Sequence, residues 1–146
     1  MLWSADSSRE VVDSNALLSP DVQWIALANP RLAPYGTAAA EVLEELNLSA
    51  HLSGKIVQGE NIAQTLQFVE SGNAQLGFVA RSQVLNLPET PAGANWVVPD
   101  HLYRPIRQDA VLLNRAIGCQ VCSEFLSFLR EDAQRSLISA SGYRVD

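Results

Sequence analysis

The stretch Asn29-Pro30-Arg31-Leu32-Ala33-Pro34-Tyr35-Gly36 decides the fold of this chain. Before it stands a short apolar run, Val22–Ala28, and after it an alanine-rich segment, Tyr35–Leu46. The run is β-rich at its start and bounded by Pro20-Asp21 and Asn29-Pro30, the pattern of a buried strand. Two prolines stiffen the loop that follows. Within Tyr35–Leu46, Ala39, Val42, Leu43 and Leu46 recur at i, i+3, i+4 and i+7, so they share one helix face. Glu41, Glu44 and Glu45 fall off that face and read as solvated surface.

A second junction of this kind is Gln58-Gly59-Glu60-Asn61-Ile62, running into Ala63-Gln64-Thr65-Leu66. A short strand over Lys55–Gln58 precedes it, and a helix over Asn61–Ser71 follows, with Ile62, Leu66 and Val69 on one stripe. Gly72-Asn73 stops that helix, and Gln75–Ala80 reads as a third strand. Strand–helix–strand–helix–strand makes two βα crossovers, hence an α/β fold with a parallel sheet and helices on its faces. Ligands of such sheets bind beyond the carboxyl ends of the strands, where both junctions lie. A helix start presents unpaired N–H groups and the positive end of a dipole. Two such starts converging would hold a compact oxyanion. Neither Tyr35–Leu46 nor Gln58–Ser71 contains Lys or Arg, so neutral dipoles would do most of the holding.

Outside this heart, Met1–Ala5 reads as a strand, Asp6–Asp13 as a loop, Leu85–Asn95 as a loop and Trp96–Val98 as a short strand. Pro105–Asp109 leads into an apolar strand, Ala110–Leu113. Helices are expected over Cys119–Arg130 and Asp132–Ser139, the second ended by Gly142.

The 146 residues are 47% hydrophobic and 18% charged, which fits a folded domain and excludes a disordered chain. Net charge is −6 and the ten basic residues are scattered, so nucleic acid is not an expected partner. No run approaches the length of a membrane-spanning helix. Met1–Asp6 lacks a basic start and a long apolar core and does not read as a signal peptide; the chain is expected in the cytoplasm if Met1 is its true start.

Cys119 and Cys122 form a C-x-x-C at the start of a helix, the position of a thioredoxin-like redox pair. A plainer role also stays open, in which Cys122 packs on the face of Phe125, Leu126 and Leu129. Two cysteines with two distant histidines, His51 and His101, do not make a zinc site. Glu60 and Asn61 read as caps of the second helix. Arg104 and Arg107 read as surface residues, and Ser4 and Asp6 have no histidine to complete a nucleophile system.

In order and spacing, Ala28–Gly36, Gly59–Thr65, Ser71–Val79, Phe125–Arg130 and Ser141-Gly142-Tyr143 resemble the periplasmic molybdate-binding proteins of ABC transporters. The resemblance implies a type-II periplasmic-binding-protein fold of two α/β lobes joined by crossing strands, with an oxyanion in the cleft. It implies ligands that are backbone N–H groups and hydroxyls, among them the N–H of Tyr35 and the N–H of Ile62. Some members add a tyrosine hydroxyl where this chain has Ala80. The N-terminal lobe of the family has no counterpart here. On this footing 1–6 and 107–114 are expected as crossing strands, 14–106 as the second lobe, and 115–146 as C-terminal helices that would pack on the first lobe. The resemblance further implies a transport component rather than an enzyme, with molybdate or tungstate as ligand and no cofactor. It implies a membrane permease as partner and a periplasmic location. Val121, Phe125, Phe128 and Leu129 would lack their usual cover, so a homodimer is expected. Other roles left open are an intracellular oxyanion sensor, a protein-interaction module, a non-binding oligomeric remnant and a thiol-disulfide protein.

Overall fold

The computed structural model describes residues 1–87 and 93–145. Strands β1 (Leu2–Trp3), β2 (Ile25–Ala28), β3 (Ile56–Gly59), β4 (Leu76–Phe78) and β5 (Asn95–Trp96) form one sheet in the order β3-β2-β4-β1-β5. Between and after them lie α1 (Pro34–Glu45), α2 (Ser49–Leu52), α3 (Ile62–Glu70), α4 (Arg81–Leu85), α5 (Gln120–Phe128) and α6 (Asp132–Ala140). The chain divides into two compact units, Met1–Ile106 and Arg107–Asp146.

In the first unit β2 pairs parallel with β3 on one side and β4 on the other, as the two crossovers predict. β1 runs antiparallel to both β4 and β5, so the complete sheet is mixed. Every residue of β2 is buried, and alternation sends its side chains to opposite faces. Ile25 and Leu27, with Leu2, Leu76 and Phe78, meet Ala39, Val42 and Leu43 of α1. Ala26, with Trp3 and Val79, meets Leu66 and Val69 of α3. The two helices therefore cover opposite faces of one sheet, which is the expected α/β layering.

Element ends differ from the sequence expectation for local reasons. β2 begins at Ile25 rather than Val22 because the Gln75 side chain takes the N–H groups of Gln23 and Trp24, at 3.1 and 2.8 Å. Ser14–Leu18 winds into a short 3₁₀ turn, its start capped by Asp13. Residues 88–92 of the expected Leu85–Asn95 loop lie outside the described residues.

The second unit corrects one expectation. No strand forms at Ala110–Leu113, and residues 107–113 join no sheet among the described residues. An apolar β-rich run becomes a strand only when a ladder partner is available, and here Val111 is 79% exposed. The expected helices do form, as α5 and α6, and Gly142, at φ 95°, ends the second. Phe125 and Phe128 stack with ring centroids 6.5 Å apart. No described residue of this unit is buried.

One polar tie anchors the end of the first unit to α1. Glu41 accepts from the Arg104 backbone N–H at 2.8 Å and from the Arg104 Nε at 2.6 Å. The backbone bond first, then the guanidinium, holds the Glu41 carboxyl below its ordinary pKa. A carboxylate whose pKa is depressed by folding stabilises the fold above its unfolded pKa, and that contribution is lost as pH falls through the folded value. Glu41→Gln is therefore expected to lower the urea midpoint at neutral pH. The gap between variant and parent should close on acidification below the ordinary carboxylate range. A gap that stays constant from neutral to acid pH in urea titrations would refute the assignment.

Candidate functional site: three strand-to-helix junctions

The first junction joins β2 to α1. Asn29 organises it: its Oδ1 accepts the Arg31 N–H at 2.9 Å, and its carbonyl accepts from Leu32 and Ala33 at 3.1 and 2.9 Å. This local folding is what Asn offers a turn. Pro34 occupies the first helical position, where its missing N–H costs nothing and its fixed φ suits the helix. Thr37 Oγ1 closes the loop on Pro30 O at 2.9 Å. Gly36 is required by close approach, since a Cβ there would lie 2.2 Å from Ala28 O. Tyr35 is thereby the second residue of α1, half-buried, directly beyond the end of β2.

The second junction joins β3 to α3 and is capped in both directions. Asn61 Oδ1 accepts the Gln64 N–H at 3.0 Å, while Gln64 Oε1 accepts the Glu60 N–H at 2.7 Å. This is the reciprocal logic of a capping box, and it assigns Glu60 and Asn61 the capping region expected of them. Thr65, fully buried, donates from Oγ1 to Asn61 O at 2.9 Å. Ile62 is the first residue of α3 and half-buried, and its N–H makes no hydrogen bond among the described residues.

Sheet register brings these two junctions together. Ala28 pairs with Gly59, and the Asn29 N–H donates to Gly59 O at 2.7 Å. The α1 and α3 starts therefore leave adjacent parallel strands at the same edge. A third junction, from β4 to α4, lies at that edge too. Gln83 Oε1 accepts the Ala80 N–H, and Gln83 Nε2 donates to Ile62 O, both at 3.2 Å. Gln83 thus ties α4 to the first turn of α3. Sequence reasoning missed this link; its signal was a glutamine three residues after the end of an apolar strand, the spacing of a helix cap. Ala80 itself is buried and brings no hydroxyl.

The electrostatics are mostly those of dipoles. The basic residues in the three junctions are Arg31 and Arg81, both exposed. Other candidates lie elsewhere. Arg104 is tied to Glu41, and Arg107, His51 and His101 are exposed. Among the described residues no group of three or more His, Cys, Asp or Glu could hold a metal ion. An open groove of about 560 Å³ lies along Ser8–Asp21, where Arg9 pairs with Asp21, and includes no junction residue. Cys119 and Cys122 are joined as a disulfide, which replaces the simple packing role considered for Cys122.

A family model described as bacterial extracellular solute-binding protein matches residues 1–144. The chain is 42% identical over 143 residues to the molybdate-binding protein ModA of Rhodobacter capsulatus, covering 98% of this chain and 55% of that protein. It is 42% identical over 144 residues to ModA of Azotobacter vinelandii, covering 98% and 57%. The solved structure of the Azotobacter vinelandii periplasmic molybdate-binding protein superposes with a TM-score of 0.85 at 31% identity, covering 99% of this chain and 64% of that one. The chain thus spans a little over half the length of the curated relatives it matches.

The junction geometry sets two stability expectations. Asn61→Ala removes the α3 cap and should cost about 1 kcal/mol. Gly36→Ala forces a Cβ into the β2 backbone and should cost more, about 1–3 kcal/mol or above. Urea midpoints of the two variants against the parent check both, and an unchanged midpoint for Gly36→Ala contradicts the close approach.

Proposed function

Because the chain belongs to the family of bacterial extracellular solute-binding proteins, we propose that it forms one wall of an oxyanion-binding cleft. Its ligand on this reading is molybdate or tungstate, taken by the backbone N–H groups of Tyr35 and Ile62 at the starts of α1 and α3. The observation that carries the proposal is the in-register pairing of Ala28 with Gly59, which sets two helix starts side by side at the carboxyl edge of the sheet. The position of Ile62, with an N–H that makes no hydrogen bond among the described residues, supports it further. A tetrahedral dianion suits such a wall, because helix starts attract negative charge without bringing a mobile cation. The role is binding, not catalysis, and the partner to which a loaded protein delivers its anion is a membrane permease. These 146 residues span a little over half the length of the relatives, so on their own they should bind weakly.

Amide chemical shifts test this at residue level. Millimolar molybdate added to the ¹⁵N-labelled chain should move the amides at Tyr35, Ile62 and their neighbours, with sulfate moving them less. Ile62→Pro removes one donor at a helix position that tolerates proline. Its neighbour Asn61 already has the extended backbone that a following proline demands. A charge-assisted hydrogen bond contributes about 1.5–3 kcal/mol, so this variant should bind about tenfold to a hundredfold more weakly. Shifts confined to other regions, or an Ile62→Pro variant with undiminished affinity, would overturn the proposal.

The C-terminal unit favours self-association as well. None of its described residues is buried, and Val121, Phe125, Phe128 and Leu137 are exposed. A second copy of the chain is the cover we infer for this apolar surface. Light scattering coupled to size exclusion should report a dimer; a clean monomer at high concentration contradicts it.

A further inference from the structure

The disulfide of the C-terminal unit is not used by the binding function. It closes a loop of sequence separation 3 at the start of α5. A loop this short removes little freedom from the unfolded chain, so it is poorly suited to stabilising the fold. Its setting is chemically asymmetric. Cys119 is the N-cap of α5, and its Sγ accepts the Cys122 backbone N–H at 3.3 Å. The Cys122 sulfur lies within the helix, one turn further on. Both cysteines are partly exposed, and Gly118 beside them has a backbone at φ 81° with nothing within 4 Å of where a Cβ would stand. The pair is therefore approachable, and one of its sulfurs is preferentially stabilised as an anion by the helix start.

We infer that Cys119–Cys122 is a reversible thiol–disulfide exchange site that takes electrons from a dithiol, with Cys119 as its stabilised thiolate. A thiolate of the dithiol attacks Cys122 Sγ. The Cys119–Cys122 bond breaks, and its electron pair leaves on Cys119 Sγ, held by the Cys122 N–H. The second thiol of the reductant, deprotonated, then attacks the mixed disulfide and releases Cys122. The dithiol ends as a disulfide. Its two protons pass to Cys122 and to Cys119 or the solvent. The better-stabilised thiolate is the better leaving group, which is why attack falls on Cys122. In the reverse sequence the Cys122 thiolate attacks the external disulfide, and Cys119 then attacks Cys122 Sγ of the mixed disulfide, restoring the bond and releasing the dithiol.

The test uses the intact chain, dithiothreitol and graded glutathione buffers. After brief reduction and a pulse of iodoacetamide at pH 7, mass spectrometry should find Cys119 alkylated at least tenfold faster than Cys122. The rate at Cys119 should rise through a midpoint below about 8.5, the ordinary thiol value. In glutathione buffers the pair should pass from oxidised to reduced reversibly within the accessible ratio range. Cys122→Ser should leave the Cys119 midpoint low, with far-UV circular dichroism confirming that α5 persists. Equal alkylation of the two cysteines, a Cys119 midpoint at or above the ordinary value, or a pair that glutathione cannot reduce would each overturn the inference. The parent chain alone supplies all three readouts if the serine variant does not fold.

Discussion

Everything in the first unit depends on β2 being buried on both faces. A four-residue strand with Ile25 and Leu27 facing one way and Ala26 facing the other must be covered twice. The small residue matters as much as the large ones. Ala26 leaves room for α3 to approach the sheet, and Gly77 on β4 lets Val69 come closer than any side chain would allow. With both helices held against the strand, their starts have little freedom. Gly36 presses against the end of β2, and Asn29 bonds to the end of β3. The position of two helix N-termini is thus a consequence of core packing, reinforced by the Asn29–Gly59 bond between the junctions.

Much of this was legible in the sequence. The apolar run before Asn29-Pro30, the i, i+3, i+4 stripe after it and the glycine stop at Gly72 specify strand, helix and turn through strong local signals. Asn61 as a cap was legible for the same reason. What was not legible depended on partners distant in sequence. The start of β2 is set by Gln75, roughly fifty positions away, and α4 is held through Gln83 reaching Ile62 O. The antiparallel seat of β1 against β4 has no local signature either, because two residues carry no measurable period. Ala110–Leu113 shows the converse error, since its β-rich composition promised a strand that has no ladder to join. The line between success and failure separates local chemistry from nonlocal pairing.

An acidic chain that sets helix starts along one sheet edge is not a contradiction. Net charge acts over many ångströms through water and salt, whereas a helix start acts within its first turn. Glu41, Glu44 and Glu45 sit beyond that turn, on the later part of α1, and Glu41 is already paired with Arg104. Glu60 is the nearest carboxylate in sequence to the α3 start, and it is exposed. The capping residues of α3 are uncharged asparagine and glutamine, and α1 starts at Ala33 without a side-chain cap. Neutral caps satisfy the helix without cancelling its dipole, which leaves the edge attractive to an anion.

The second unit obeys a different constraint. Its two helices are nine residues each, shorter than the length at which an isolated helix holds in water. With none of its described residues buried, it cannot draw stability from a core of its own. What it has is local: a disulfide across the first turn of α5, a sulfur accepting at its cap, and a stacked phenylalanine pair on its last turn. The costly step in helix formation is fixing the first turn, and the Cys119–Cys122 bond spans that turn. Order in this unit therefore depends above all on the cover supplied to its apolar faces.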